Sequence, residues 1–317
     1  MQPSCGNLEL RDGLSGRSWR GERMGLRSNP TYRQRRLGAE LRKLREQAGL
    51  STYELAPQLG MKQPQLSHIE SGRTSISLDR LRQFAQLAGV IDGALLEALI
   101  EMLQDSGKGW WSEYRNVLPY PHLDFAELEA GACAIVNYEP MFVPGLLQTR
   151  EYAAAVHRGG YGPSADNAQE EAVEFRMRRQ RVLEGDSAPH FHAVLHEAAL
   201  HATLGSTDIM RGQLLRLIEM SRLSNVTIQV LPFDGPVPYG TAFTIAQPEV
   251  AELSTLVVTH VDGSRYISDV DWLARYKRTF ARLGEVGLPP VDADARPESH
   301  VAKDSLGLIQ RLLYPLL

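Results

Sequence analysis

The sequence predicts a multidomain chain. An all-α domain of five short helices covers residues 31–106 and an α/β or α+β domain covers 110–288, flanked by a disordered leader at 1–30 and by a linker and last helix at 289–317. Three observations lead there. Apolar residues recur at helical spacing between Leu37 and Asp105, and β-type runs alternate with helical segments further on. Gly107-Lys108-Gly109, followed by Trp110-Trp111, separates the two patterns. At 317 residues, 43% hydrophobic and 23% charged, the chain can bury the cores of two ordinary domains.

Residues 1–30 are rich in Gly, Arg and Ser without apolar periodicity, the composition of a disordered segment, and Met24-Gly25 offers an alternative start to Met1. A first helix is expected over about 33–48, where Leu37, Leu41, Leu44 and Ala48 form one stripe that Gly49 ends. Ser51 and Glu54 make a capping box for the second, Pro64 suits the first position of a third that ends at Ser71-Gly72, and Gly89 closes a fourth begun at Ser77. A fifth spans about 92–105, and the short connections draw all five into one bundle. Behind the glycine break, helices are expected near 149–158, 166–184, 207–222 and 269–284. Strands are expected at 132–138, 190–196, 226–231, 241–246 and 255–261. Their interleaving predicts a sheet at least partly covered by helices. The Pro- and Asp-rich stretch 289–298 reads as a linker to a helix at about 300–313.

The net charge of −4 hides an asymmetry: residues 1–90 hold 15 Lys+Arg against 8 Asp+Glu, and residues 91–317 hold 19 against 30. A basic front suggests contact with a polyanion. Much of the excess comes from eight arginines within 11–36, whereas 37–105 is slightly acidic. Two cysteines, Cys5 and Cys133, are too few for a disulfide framework, so a cytoplasmic location is expected. No apolar run approaches the ~20 residues of a membrane span, and the N-terminus lacks the apolar stretch of a secretory signal.

Two helices that cross steeply through a tight turn need a small residue at the crossing, a tolerant turn residue and apolar pins. Counting Thr52 as position one, Leu55 and Ala56 stand at four and five, Gly60 at nine, Met61 at ten, Leu66 at fifteen and Ile69 at eighteen. Each constrained position is filled as a helix-turn-helix requires. The stretch LRKLREQAGLSTYELAPQLGMKQPQLSHIESGRTSISLDRLRQFAQLAG resembles the Xre/Cro-type, lambda-repressor-like DNA-binding domain. The resemblance implies that the helix at 63–70 enters the major groove of double-stranded DNA and that Thr52 meets phosphate. Gln63, Pro64, Gln65, Ser67 and His68 would form the groove-facing surface, with Lys62 and Arg73 at its ends. Gln63 could pair with the N6/N7 edge of adenine and Pro64 could meet a thymine methyl. Ala56, Gly60, Leu66 and Ile69 would support this helix, and the family's Arg–Glu pair maps to Arg45 and Glu70. One departure is Pro57 inside the scanning helix, where it crowds the carbonyl of Tyr53 and predicts a late start or a kink.

In the second half, YEPMFVPGLLQTREYA (138–153) contains a Pro144-Gly145 turn and a Gln148-Thr149 cap. It reads as a packed strand-turn-helix junction or, alternatively, with Pro144, Gly145, Gln148 and Thr149, as the rim of a ligand or partner pocket. The order VPGLLQT, FRMRRQRVL, AVLHEAALHATLG, RGQLLRL, VTIQVLP is similar to that of actinobacterial antitoxin-like regulators. These join an Xre-type domain to a C-terminal domain of poorly known function and are often encoded beside a small partner protein. The resemblance implies a homodimeric transcription regulator with a signal- or partner-sensing C-terminal domain; the alternative is an antitoxin-like protein that binds a small partner and autoregulates. No enzyme, cofactor or metal site is expected. His196 and His201 are five apart where a zinc helix needs four, His190, His192 and His196 share one strand face, and no phosphate loop or nucleophile elbow occurs.

Overall fold

The hydroxyl of Thr31 accepts from the Gln34 N–H while the Gln34 side chain returns to the Thr31 N–H, and this capping box opens α1 (Tyr32–Gln47). The second capping box, Ser51 with Glu54, opens α2 (Thr52–Gln58). α3 (Gln63–Glu70), α4 (Leu78–Leu87) and α5 (Ala94–Gln104) complete the helical region. α2 does not start late. It begins directly after Ser51, and Pro57, in its last turn, forgoes only the one N–H bond to the Tyr53 carbonyl. The computed structural model describes residues 26–27, 30–90, 93–105, 107–161, 166–235, 240–260, 263–294 and 303–317. The predicted leader, apart from Leu26, Arg27 and Pro30, lies outside the described residues, as do both candidate start sites.

Among the described residues, six strands form a mixed sheet in the order β3-β2-β1-β4-β5-β6. β1 (Ala134–Glu139), β2 (His190–His196) and β3 (Val226–Leu231) run parallel, and β4 (Phe243–Gln247), β5 (Thr255–His260) and β6 (Gly263–Ile267) continue antiparallel from β1. Alternate residues face opposite sides. Ile135, Phe191, Ala193, Ile228 and Val230 pack on one side with α7 (Arg150–Val156), α10 (Thr207–Met220) and α12 (Ser305–Leu313). Tyr138, Val194, Ile245 and Leu256 pack on the other with Leu273, Phe280 and Leu283 of α11 (Val270–Val286). The expected strands and covering helices are present. Part of the expected linker is structural, because Leu288 and Val291 donate to the carbonyls of Val230 and Ile228 and cover the β3 edge.

Sequence periodicity misses α6 (Tyr120–Ala130), β6 and the short α9 (Ala198–His201). α6 has no simple apolar stripe because it buries Asp124, Glu127 and Glu129 beside Leu123 and Ala126. Their counter-charges are arginines from elsewhere. Arg33 pairs with Asp105 and with Glu127 (2.6 Å), Arg35 with Asp124 (3.1 Å), and Arg179 of α8 (Asp166–Gln180) with Glu129 (2.7 Å). The Tyr32 N–H donates to Asp124, its hydroxyl bonds Thr255, and its ring lies 4.6 Å from that of Tyr266. Arg36, paired with Glu40, donates to the Glu252 carbonyl, and Leu253 is only 8% exposed within the core of the helical region. The basic front therefore divides: Arg33 and Arg36 are engaged in internal contacts, whereas Arg35 pairs with Asp124 from an exposed position.

Candidate nucleic-acid interface

The turn between α2 and α3 is set by Gly60, whose φ of +62° lies in the left-handed region where a side chain is strained. The Met61 N–H returns to the Ala56 carbonyl at 3.0 Å and closes the crossing. Leu55, Ala56 and Leu66 are wholly buried there, and Ile69 and Met61 nearly so. Behind α3, Arg45 holds Glu70 with two parallel bonds, Nε–Oε1 at 2.6 Å and a terminal nitrogen to Oε2 at 3.1 Å, and donates to the Leu50 carbonyl at 2.7 Å. A planar fork facing a carboxylate restricts rotation, so the pair orients α3 against α1. The Glu70 hydrogen bond also holds Arg45 further in its charged form. Two glycines let the helices touch: a Cβ on Gly38 would lie 2.5 Å from the Glu70 carbonyl oxygen, and one on Gly72 2.8 Å from the Arg35 nitrogen.

The opposite side of α3 is open. Lys62, Gln63, Pro64, Gln65 and Arg73 are exposed, and Ser67 and His68 are half-buried. Gln63 draws three sequence-predicted residues together, its amide donating to the Thr52 hydroxyl at 3.3 Å and to the Ser67 hydroxyl at 3.2 Å. α3 begins after Lys62, so Pro64 occupies the second helical position, where its missing N–H is still an unpaired one. Two residues at this surface escaped sequence reading. Tyr53, beside Thr52, is 80% exposed, and Arg80 of α4 reaches the Gly60 carbonyl at 3.5 Å. Exposure of the position beside Thr52 could have been read from helix phase, but the placement of Arg80 depends on how α4 packs.

The candidate rim is built differently. Gln148 is 3% exposed: its amide donates to the Val143 carbonyl at 2.7 Å and its oxygen accepts from Arg176 at 2.6 Å. Gln180 donates to the carbonyls of Gly145 and Gln148, and Gln213 accepts from the Thr149 N–H while donating to the Leu147 carbonyl. Thr149 caps α7 through the Tyr152 N–H. Gly145 sits where a Cβ would meet Arg179 at 2.8 Å. These contacts place Gln148 inside a strand-turn-helix junction whose polar groups satisfy one another.

Residues 36–99 match the model of a helix-turn-helix domain, and residues 123–296 match that of a domain of unknown function (DUF5753). The second match spans more than half of the chain. The chain belongs to the DUF5753 family. No curated protein and no solved structure matches it. The helix-turn-helix match ends inside α5 and the DUF5753 match begins inside α6, so the arginine–carboxylate contacts of α1 with α6 join the two.

Within the DUF5753 domain the buried acids behave unusually. Burial pushes Glu129 up to about 7 despite its Arg179 partner, and does the same to Glu139 at the end of β1. Burial likewise lowers Arg176, to about 10, with Arg179 repelling it further. Among the described residues no group of three or more His, Cys, Asp or Glu could hold a metal ion. His192 instead bonds Gln229 at 2.7 Å, and His196 accepts from the Ala198 N–H at 3.1 Å. No helix among the described residues is long and apolar enough to cross a membrane.

Proposed function

We propose that this DUF5753 protein is a cytoplasmic, sequence-specific transcription regulator of the Xre type, reading double-stranded operator DNA with the exposed face of α3 while its C-terminal domain receives a signal or a partner. One observation carries the reading. α3 is pinned on one side by Leu66, Ile69 and the Arg45–Glu70 fork, and on the other its Gln63 and Ser67 form one polar cluster with Thr52 of α2. Such a face suits hydrogen-bond readout in a groove about 12 Å wide, which admits a helix. Lys62, Arg73 and Arg80 supply positive charge around it, and Tyr53 joins them as a contact to the DNA backbone. A single domain of this size buries little surface, so a dimer placing two α3 helices one DNA turn apart is the expected binding form.

Footprinting and competitive binding on operator fragments selected from genomic DNA test the assignment. Gln63→Ala and His68→Ala should relax base preference at defined positions, and unchanged preference in both variants would refute the placement of α3. The partner-binding, antitoxin-like reading draws on Val270 and Trp272, which expose an apolar surface on α11. Co-purification of a small protein encoded beside the gene, lost in Trp272→Ser, would favour it.

A further inference from the structure

A groove of about 630 Å³ lies where β5, β6 and α11 meet. Val258, 4% exposed, and Ile267 give it an apolar base, and Trp272 and Tyr276 of α11 line it with aromatic rings. Thr241, His260 and Arg265 bring its polar groups. The volume falls within the ~300–1,000 Å³ of small-molecule sites. We propose that this groove binds a small aromatic carboxylate, its ring against Trp272 and its carboxylate on the guanidinium of Arg265, and that occupancy is felt at α1 through Tyr266.

Arg265 decides the ligand class. Among the described residues no carboxylate lines the groove, and Arg265 has neither a hydrogen bond nor an ion pair. Of the two acids that flank Trp272 at the start of α11, neither belongs to the wall, and Oδ1 of Asp269 already accepts from the N–H groups of Asp271 and Trp272. A guanidinium fork matches the two oxygens of a carboxylate, and one permanent positive charge balances a monoanion, whereas a phosphate dianion would exceed it. Thr241 and His260 add hydrogen-bonding groups to the same wall.

The rings decide the body of the ligand. α11 packs on the sheet with Leu273, Phe280 and Leu283, which leaves Trp272 outside that core at 49% exposure. Its indole is nonetheless held in place. The Arg275 guanidinium lies 5.7 Å from the ring centre, and the indole stands 6.3 Å from the ring of Tyr276, which in turn meets the buried Phe243 edge-on at 4.9 Å. A flat ring entering the groove extends this row and takes from water an apolar surface that α11 does not bury against its own sheet.

The groove also reaches α1. Tyr266 belongs to its wall, its ring lies 4.6 Å from that of Tyr32, and its hydroxyl donates at 2.8 Å to the Pro121 carbonyl at the start of α6. β5 makes a second contact, between Thr255 and the Tyr32 hydroxyl. A ligand seated on β6 changes the free energy of holding α1, and with it α3, on the sheet and, by linkage, the affinity for DNA. Only this regulatory consequence rests on the DNA-binding reading.

Calorimetric titration of the purified full chain at low ionic strength tests the proposal. The acids are benzoate, phenylacetate and indole-3-acetate, each set against its amine counterpart, benzylamine, phenethylamine or tryptamine, with acetate as the acid that lacks a ring. At least one aromatic acid should bind saturably with one site per chain, at least fivefold tighter than its amine and than acetate. Arg265→Gln and Trp272→Ser should each weaken that binding at least fivefold while the thermal midpoint stays within a few degrees, since neither side chain is packed in the core. The site is overturned if no aromatic acid saturates, if the amine or acetate binds within fivefold, or if either variant weakens binding less than fivefold. Because the chain is titrated alone, a small partner protein plays no part in the result. Operator affinity should change at least threefold with the acid bound, and a smaller change overturns the coupling. If an acid binds as described but the chain binds no DNA, the regulator reading fails and the site stands.

Discussion

The backbone N–H of Tyr32 donates to Oδ1 of Asp124 at 3.0 Å, across 92 residues of sequence. The first residue of α1 is thereby held by the helix that begins the DUF5753 match, and the same carboxylate accepts from Arg35. Asp124→Ala would strand a buried N–H and an arginine, so we expect a loss of about 3 kcal/mol in denaturant unfolding. If the helical region is held mainly here, early proteolysis between residues 107 and 119 should accompany it. Asp124→Asn, which keeps one acceptor, should lose less than half as much.

Removing Glu70 takes from the buried Arg45 guanidinium its two-bond counter-charge and leaves it only Glu46 at 3.5 Å. We expect Glu70→Ala to cost about 3–5 kcal/mol and to abolish DNA binding. The double variant Arg45→Met with Glu70→Leu should recover most of the stability in thermal unfolding, since no charge is stranded.

Gly38 and Gly212 both lie inside helices, yet the same substitution should act on them with opposite sign. At Gly38 a Cβ meets the Glu70 and Ile69 carbonyls, and at Gly212 of α10 nothing lies within 4 Å. Gly38→Ala should destabilise by about 1–3 kcal/mol through overpacking. Gly212→Ala should stabilise by about 0.5–1 kcal/mol through helix propensity. Urea midpoints of the two variants measure both.

Glu129 keeps its proton up to about pH 7 when folded, whereas an unfolded glutamate releases it near 4.5. The native state therefore holds more protons across this window, and the contribution of Glu129 to stability falls as pH rises from about 4.5 to 7, then levels. Glu139 acts in the same sense. His192 and His196, lowered by burial, act in the opposite sense, so the difference between parent and variant isolates the acid. Glu129→Gln should flatten the decline, read from urea unfolding at pH 5, 6, 7 and 8. An unaltered slope would show that Glu129 ionises normally.

The features legible in advance are those that local chemistry determines. Apolar spacing marked α1, serine followed by glutamate marked the start of α2, and the interval from Ala56 through Gly60 to Ile69 specified the crossing of α2 and α3. Resemblance supplied the Arg45–Glu70 pair, which the geometry repeats. Strand runs rich in β-branched residues located five of the six strands among the described residues. β6, GSRYI, lacks such a run and is held by pairing with β5 and by Tyr266, whose hydroxyl donates to the Pro121 carbonyl.

By itself, the sequence determined the helix-turn-helix, its polar outer face and the alternation of strands and helices, because each depends on residues a few positions apart. Tertiary structure alone decided where the charges go. Arg33 and Arg35 look like part of a polyanion site until α6 brings Asp124 and Glu127 against them, and Gln148, which by sequence reads as part of a packed junction or of a rim, is held by Arg176 and Gln180. A charged side chain is exposed or buried according to its partner, and that partner can lie some ninety residues away, beyond any local pattern.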